Sequence, residues 1–135
     1  MLATTWKSGG PEFGLACPDN LAFDKKGNLW VTSDISDEKT DQGPYKGLGN
    51  NGLFYVPLRG EWAGRAFRIA TTPKDAEFTG PMFSDDGKTL FLCVQHPGAT
   101  TVDPEKPTST WPDRKGLPKS AVVMIQGPLL DKLLS

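Results

Sequence analysis

Two stretches of the chain carry the same pattern of apolar and polar positions. In Leu21-Ala-Phe-Asp-Lys-Lys-Gly-Asn-Leu-Trp-Val-Thr-Ser-Asp34, two apolar runs flank a polar centre, Asp24-Lys-Lys-Gly27-Asn28. Polar residues with a glycine between strand-forming runs mark a tight turn, so the stretch predicts an antiparallel hairpin. The pattern returns in Pro81-Met-Phe-Ser-Asp-Asp-Gly-Lys-Thr-Leu-Phe-Leu-Cys-Val94, with Ser84-Asp-Asp-Gly87-Lys88 as the turn. Setting Phe23 on Phe83, Gly27 on Gly87 and Leu29-Trp30-Val31 on Leu90-Phe91-Leu92 gives a repeat of about 60 residues, with one residue inserted in the second turn.

Further strands are predicted outside the hairpins. Gly52-Leu-Phe-Tyr-Val56 and Ala66-Phe-Arg-Ile-Ala70 lie between them, and Ala121-Val-Val-Met-Ile-Gln126 follows the second. Each unit is then an inner hairpin followed by one or two outer strands, about residues 14–70 and 77–126, with a tail over 127–135. Repeated antiparallel units of this size around a channel are propeller blades. The predicted fold is all-β, with about two antiparallel blades of a β-propeller making a single partial propeller segment over residues 1–135. The stretches Ile35–Asn51 and Gly98–Lys119 are rich in Gly, Pro, Asp and Thr without periodicity and predict long loops. Pro128-Leu-Leu-Asp-Lys-Leu-Leu134 predicts a short terminal helix whose leucines need a surface to dock on.

Propellers have about 4–8 blades, and two blades leave faces and edge strands without partners. The chain is therefore expected either to complete a longer propeller by joining its missing blades or to self-associate, three copies making six blades.

Composition supports this picture. The 12 prolines in 135 residues disfavour long helices, and 37% hydrophobic with 23% charged residues fits a folded globular chain. Fifteen basic and 16 acidic residues, a formal net charge of −1, leave no electrostatic footprint for nucleic acid or anionic lipid. No apolar run approaches the ~20 residues that span a bilayer. Cys17 and Cys93 lack the density of a disulfide framework and the CxxC spacing of a metal or redox site, and are expected as small buried thiols near strands. The opening Met1-Leu-Ala-Thr-Thr-Trp6 shows no charged segment followed by an apolar one, so no export signal is read there.

Candidate chemistry sits just before and after the hairpins. Cys17-Pro-Asp19-Asn20-Leu21 opens the first, and Glu77-Phe-Thr-Gly80-Pro81 stands at the corresponding place before the second. In a propeller both segments face one mouth of the central channel. Hard oxygen donors converging there are the ligand type that calcium requires. The ordinary alternatives are an Asx turn at Asp19-Asn20 and a solvated carboxylate at Glu77. His96, in Gln95-His96-Pro97-Gly98, follows the second hairpin at the same mouth. It is the candidate for ligation, proton transfer or phosphate pairing, against a plain structural role. HExxH, P-loop, GxSxG and GxGxxG patterns are absent.

These strings together resemble a known family. Cys17-Pro-Asp-Asn-Leu-Ala-Phe-Asp-x-x-Gly-Asn-Leu-Trp30, Glu77-Phe-Thr-Gly-Pro-Met-Phe-Ser-Asp-Asp-Gly-Lys-Thr-Leu-Phe91, Gln95-His-Pro-Gly98 and Ser109-Thr-Trp-Pro-Asp113 are similar, in order and spacing, to the C-terminal part of PhoX-type alkaline phosphatases. The resemblance implies a six-bladed propeller with calcium and iron in its channel, hydrolysing phosphate monoesters. It implies export by the twin-arginine route, hence a periplasmic or secreted location. It implies Asp19 and Asn20, matching a Pro-Asp-Asn motif, as metal ligands. Glu77 in Glu-x-Thr-Gly-Pro is implied as a further ligand, and His96 in Gln-His-Pro-Gly as the catalytic or supporting residue. The chain departs from the family in lacking the N-terminal blades with their cysteine and acidic ligands, and Cys17 does not match that cysteine. On its own it is expected to be inactive.

Two other functions compete. Calcium-dependent lactonases of the gluconolactonase type also use six-bladed propellers, although the Gln-His-Pro-Gly and Ser-Thr-Trp-Pro-Asp strings argue against that choice. A non-catalytic module whose loops or edges bind another chain is the third.

Overall fold

The computed structural model describes residues 14–134; the reading made on Met1–Trp6 lies outside them. Strands β1 (Pro18–Phe23), β2 (Leu29–Ser33), β3 (Gly52–Val56) and β4 (Phe67–Thr71) form one antiparallel sheet in chain order. Strands β5 (Glu77–Phe83), β6 (Leu90–Gln95) and β7 (Ala121–Ile125) form a second, three-stranded one. Sheet order that follows chain order is the meander of a propeller blade. The chain is thus all-β with blade-like sheets, and the single α-helix among the described residues, α1 (Pro128–Leu134), is the predicted tail.

Side-chain alternation sorts each strand onto two faces. Ala22, Trp30 and Tyr55 form one cross-strand row, through the pairs Ala22 with Trp30 and Trp30 with Tyr55. That row faces the second sheet, where Phe78, Leu90, Leu92 and Val94 are buried against it. Trp30 is fully buried at the centre. Its ring meets Tyr55 at 5.1 Å and Phe83 edge-on at 5.5 Å, the offset geometry that aromatic quadrupoles favour. Helix α1 closes this core through buried Leu130, with Leu133 and Leu134 partly buried beside it, while Leu129 remains exposed. A smaller cluster of Val31, Phe54, Val56 and Ala66 lies on the other face of the first sheet.

The turns follow from backbone requirements. Gly27 closes the first hairpin at φ 78°, a conformation that a Cβ disfavours. Gly52 opens β3 under a different constraint: a Cβ there would meet the Ala70 carbonyl oxygen at 2.7 Å and Arg68 Nη1 at 2.9 Å. The Arg68 guanidinium donates to the Leu48 and Asn50 carbonyls, both at 2.8 Å, and lies over the Phe54 ring at 4.7 Å. Burial alone pulls its pKa below the ordinary arginine value. The arginine thereby holds the predicted loop 35–51 onto the sheet. That loop contains two short 3₁₀ turns, Asp37–Lys39 and Gly43–Tyr45.

Both cysteines are free thiols and only half-buried, less enclosed than expected. Cys17 Sγ lies 3.5 Å from the Tyr45 hydroxyl, and Cys93 lies within β6. No described helix is long and apolar enough to cross a membrane.

Candidate functional site

Antiparallel pairing brings the starts of β1 and β5 to the same end as the finishes of β2 and β6. Asp19 and Asn20 lie at a register shift between Pro18 and Leu21. The matching irregularity in β5 falls between Thr79 and Met82. Such bulges redirect side chains and are common beside functional sites. Here they bring the two innermost strands into contact: the Gly80 amide donates to Asn20 Oδ1 at 2.7 Å. The other end of the same side chain, Nδ2, donates to Asp19 Oδ2 at 2.7 Å. Asn20 therefore stitches the two sheets together and orients Asp19. One carbonyl lone pair of Asn20 remains for any other role.

Glu77 is buried at the head of β5 and paired across from Gln95. The residue after Gln95 is His96, whose φ of 40° turns its ring back over the sheet end. Its Nε2 lies 3.2 Å from Glu77 Oε1, and its Nδ1 lies 3.7 Å from Asp37 Oδ2. With Glu77 ionised, Nε2 carries the proton and donates to it. Nδ1 is then a buried nitrogen without a hydrogen-bond partner, facing a second carboxylate. Only the doubly protonated ring satisfies both acids.

The electrostatics at this end are unbalanced. Burial pushes the Glu77 carboxyl above its ordinary value, Asp34 adds to the shift, His96 opposes it and Asp19 adds a smaller increment. Asp37 is pushed up first by burial, against His96, with Asp75, Glu38 and Asp34 adding their repulsion. Carboxylates that repel one another with one imidazole between them lack positive charge nearby.

A buried amide holds the region together. Asn51 accepts from the Ile35 amide at 2.7 Å and the Ser33 hydroxyl at 3.2 Å, and donates to the carbonyls of Ile35 and Ala76 at 3.0 and 3.2 Å. One side chain thus fixes the end of β2, the start of the long loop and the residue before Glu77. Asp75, also buried, accepts from the Thr100 hydroxyl and ties in the second long loop.

The four residues singled out in the sequence therefore share one end of the sheets. Asn20 touches Asp19, and His96 touches Glu77, but these are two separate pairs. Among the described residues, no three His, Cys, Asp or Glu side chains stand close enough to hold a metal ion. Sequence reasoning missed Asp34, Asp37 and Asn51. Asp34 had a readable signal, since it ends the first hairpin as Gln95 ends the second. Asp37 and Asn51 come from an irregular loop whose path carries no periodic signal.

The family model described as alkaline phosphatase PhoX matches residues 8–98. Among solved structures, the chain is similar to a Pseudomonas fluorescens PhoX in complex with vanadate, a transition state analogue, at 36% sequence identity and a TM-score of 0.62. That alignment covers 79% of this chain and 17% of the other, so the chain spans less than a fifth of that protein's length. A search of curated proteins finds no match. A family match across most of the chain, together with the blade-like sheets and the acidic sheet end, places it plainly: the chain belongs to the PhoX alkaline phosphatase family.

Proposed function

We propose that this chain contributes hard-oxygen ligands and their supporting shell to a metal-dependent phosphatase that hydrolyses phosphate monoesters. The observation that carries the reading is the gathering of acids at the sheet end, where Glu77 is pushed up first by burial and then by Asp34 and Asp19, with only His96 against them. A divalent cation relieves that repulsion, and carboxylate and amide oxygens are the donors that calcium takes. Asp19 and Glu77 would supply carboxylate oxygens and Asn20 its remaining carbonyl lone pair. Iron rests on the family resemblance alone.

Such cations, when bound, would supply positive charge for phosphate oxygens and would lower the pKa of a bound water. The chain's own residues prepare the place for that chemistry. Asn20 orients Asp19 through the 2.7 Å bond, so the carboxylate need not be ordered when a cation arrives. His96 holds Glu77 at 3.2 Å, and as the one described imidazole at this end it is placed to move a proton there. The vanadate complex of the Pseudomonas protein fits a site complementary to a transition state, to which this sheet end would contribute one wall. Asp19, Asn20 and Glu77 alone make an incomplete shell for such a cation, so this chain by itself is expected to bind cations weakly and to turn over no substrate.

Thermal melting with and without millimolar calcium tests the reading. Calcium is expected to raise the melting temperature of the wild-type chain, since a ligand of the folded state stabilises it. The shift should vanish in Asp19→Ala and shrink in Glu77→Gln. An equal shift in Asp19→Ala removes that residue from the ligand set.

A further inference from the structure

Asn51 is followed by Gly52, and no other asparagine of the chain precedes a glycine. Asparagine is a thermolabile residue, and most so before glycine, where the missing Cβ leaves the main-chain nitrogen free to reach the side-chain carbonyl. The fold demands both residues, for separate reasons. Gly52 is required by packing, since a Cβ would meet the Ala70 carbonyl oxygen at 2.7 Å and Arg68 Nη1 at 2.9 Å. Asn51 is required by bonding: its amide accepts from the Ile35 amide and the Ser33 hydroxyl and donates to the Ile35 and Ala76 carbonyls. A carboxylate accepts but cannot donate, so aspartate is no substitute.

The same surroundings hold the labile groups out of reach of one another. Closing a succinimide ring requires the Asn51 side chain to swing onto the Gly52 nitrogen and the peptide between them to turn. The side chain is held by the bonds just named. The peptide is held on both edges: its carbonyl accepts from the Thr72 amide at 2.9 Å and the Thr72 hydroxyl at 3.1 Å, and its N–H donates to Ser33 Oγ at 3.0 Å. Asn51, Ser33 and Thr72 are all buried, which also keeps out the hydroxide and water that the conversion needs.

We propose that Asn51–Gly52 is a fold-guarded deamidation site, silent while this end of the sheets is closed and converted when it opens. The Gly52 nitrogen gives up its proton to hydroxide and attacks the Asn51 side-chain carbonyl carbon. The bond to the side-chain nitrogen breaks, and that nitrogen takes a proton from water and leaves as ammonia. Water then opens the ring at one carbonyl or the other, leaving aspartate or isoaspartate at position 51. The net change is one water consumed and one ammonia released.

Either product undoes the support that Asn51 gives. The new carboxylate donates to neither the Ile35 nor the Ala76 carbonyl, and it sets an ionised group against both in a buried place. Isoaspartate also routes the main chain through the former side chain, one carbon longer where β3 begins. Ala76 precedes Glu77, and Ile35 leads into the loop that carries Asp37, so the damage lands on the acidic end of the sheets. This inference stands apart from the phosphatase reading, since it needs only the dipeptide and its bonds.

The test is peptide mapping by mass spectrometry of the wild-type chain after incubation at mildly alkaline pH, in buffer and in concentrated urea. Aspartate and isoaspartate at position 51 should accumulate in urea, and at least about tenfold more slowly in buffer, a ratio equivalent to ~1.4 kcal/mol of opening free energy. Gly52→Ala, compared with wild type in urea where the fold plays no part, should slow the conversion, because its Cβ obstructs the attack. Asn51→Asp, which makes one product directly, should melt below wild type or fail to fold. Equal rates in buffer and urea, or a faster rate in buffer, would overturn the guarding by the fold. Conversion confined to Asn20, Asn28 or Asn50 would overturn the assignment of the site, and an Asn51→Asp chain that melts with the wild type would overturn the damage.

Discussion

The two hairpin turns descend from one pattern but are held in different ways. In the first, buried Asp24 accepts from the Lys26 and Asn28 amides, both at 2.9 Å, from Asn28 Nδ2, and from the Trp30 indole at 3.2 Å. In the second, Ser84 and Asp86 share the work at the surface: the Ser84 hydroxyl donates to Asp86 at 2.6 Å, and the Lys88 amide donates to the same carboxylate at 3.0 Å. The difference follows from one residue. Trp30 brings a buried N–H that must find an acceptor, while its counterpart Phe91 brings none. A core aromatic thus dictates how the turn six residues earlier is built.

Substitutions can break or sharpen that comparison. Trp30→Ala, which empties the centre of the inter-sheet core, should cost about 3–5 kcal/mol in chemical denaturation, and a loss below ~1 kcal/mol would contradict its central place. Asp24→Ala should cost about 2–3 kcal/mol, because it strands the indole N–H and turn amides together. The contrast lies with Asp86→Ala at the surface of the other turn, which should change the melting temperature far less; equal losses would mean that the two turns are held alike. Asn20→Ala, which cuts the bond between the innermost strands, should cost about 1 kcal/mol, with faster exchange of the Gly80 amide as its local signature.

The smallest expected effect concerns pH. Burial and neighbouring acids raise Glu77 above its ordinary value of 4.5, so the folded chain holds that proton more tightly than the unfolded chain does. Its favourable contribution is complete below the unfolded value and is lost as pH climbs through the raised one. Glu77→Gln removes this dependence. Its stability relative to wild type should therefore improve between pH 4 and neutrality in paired melts without added metal. A difference that is flat across that range would show that the carboxyl is not held against its neighbours.

Legibility differed between the scaffold and the site. Alternation and turn glycines placed β1, β2, β5 and β6, because these local patterns act within a few residues. Gly52–Val56 appeared with the predicted limits, the strand expected over 66–70 shifted by one residue to Phe67–Thr71, and the one expected over 121–126 ended one residue early at Ile125. The candidate site was legible only where it adjoins those hairpins. Asp19, Asn20, Glu77 and His96 share one sheet end because hairpin geometry carries them there. Their contacts were not readable. That Asn20 reaches Gly80, and that Asp37 comes within 3.7 Å of His96, depend on two bulges and on the course of a seventeen-residue loop, 35–51.

By itself the sequence determined the repeat, the antiparallel strands, the terminal helix and the resemblance to one family, all carried by short-range spacing. Tertiary structure alone decided which face of each sheet enters the core between the sheets. Alternation offers two apolar faces per sheet without ranking them, and only the stacking of one sheet on the other chose Trp30 for the shared core and left Phe91 half-buried on the opposite face. It also decided that the acidic residues meet at one end. Their mutual repulsion exists only once chain segments distant in sequence are brought together, and no local pattern records that distance.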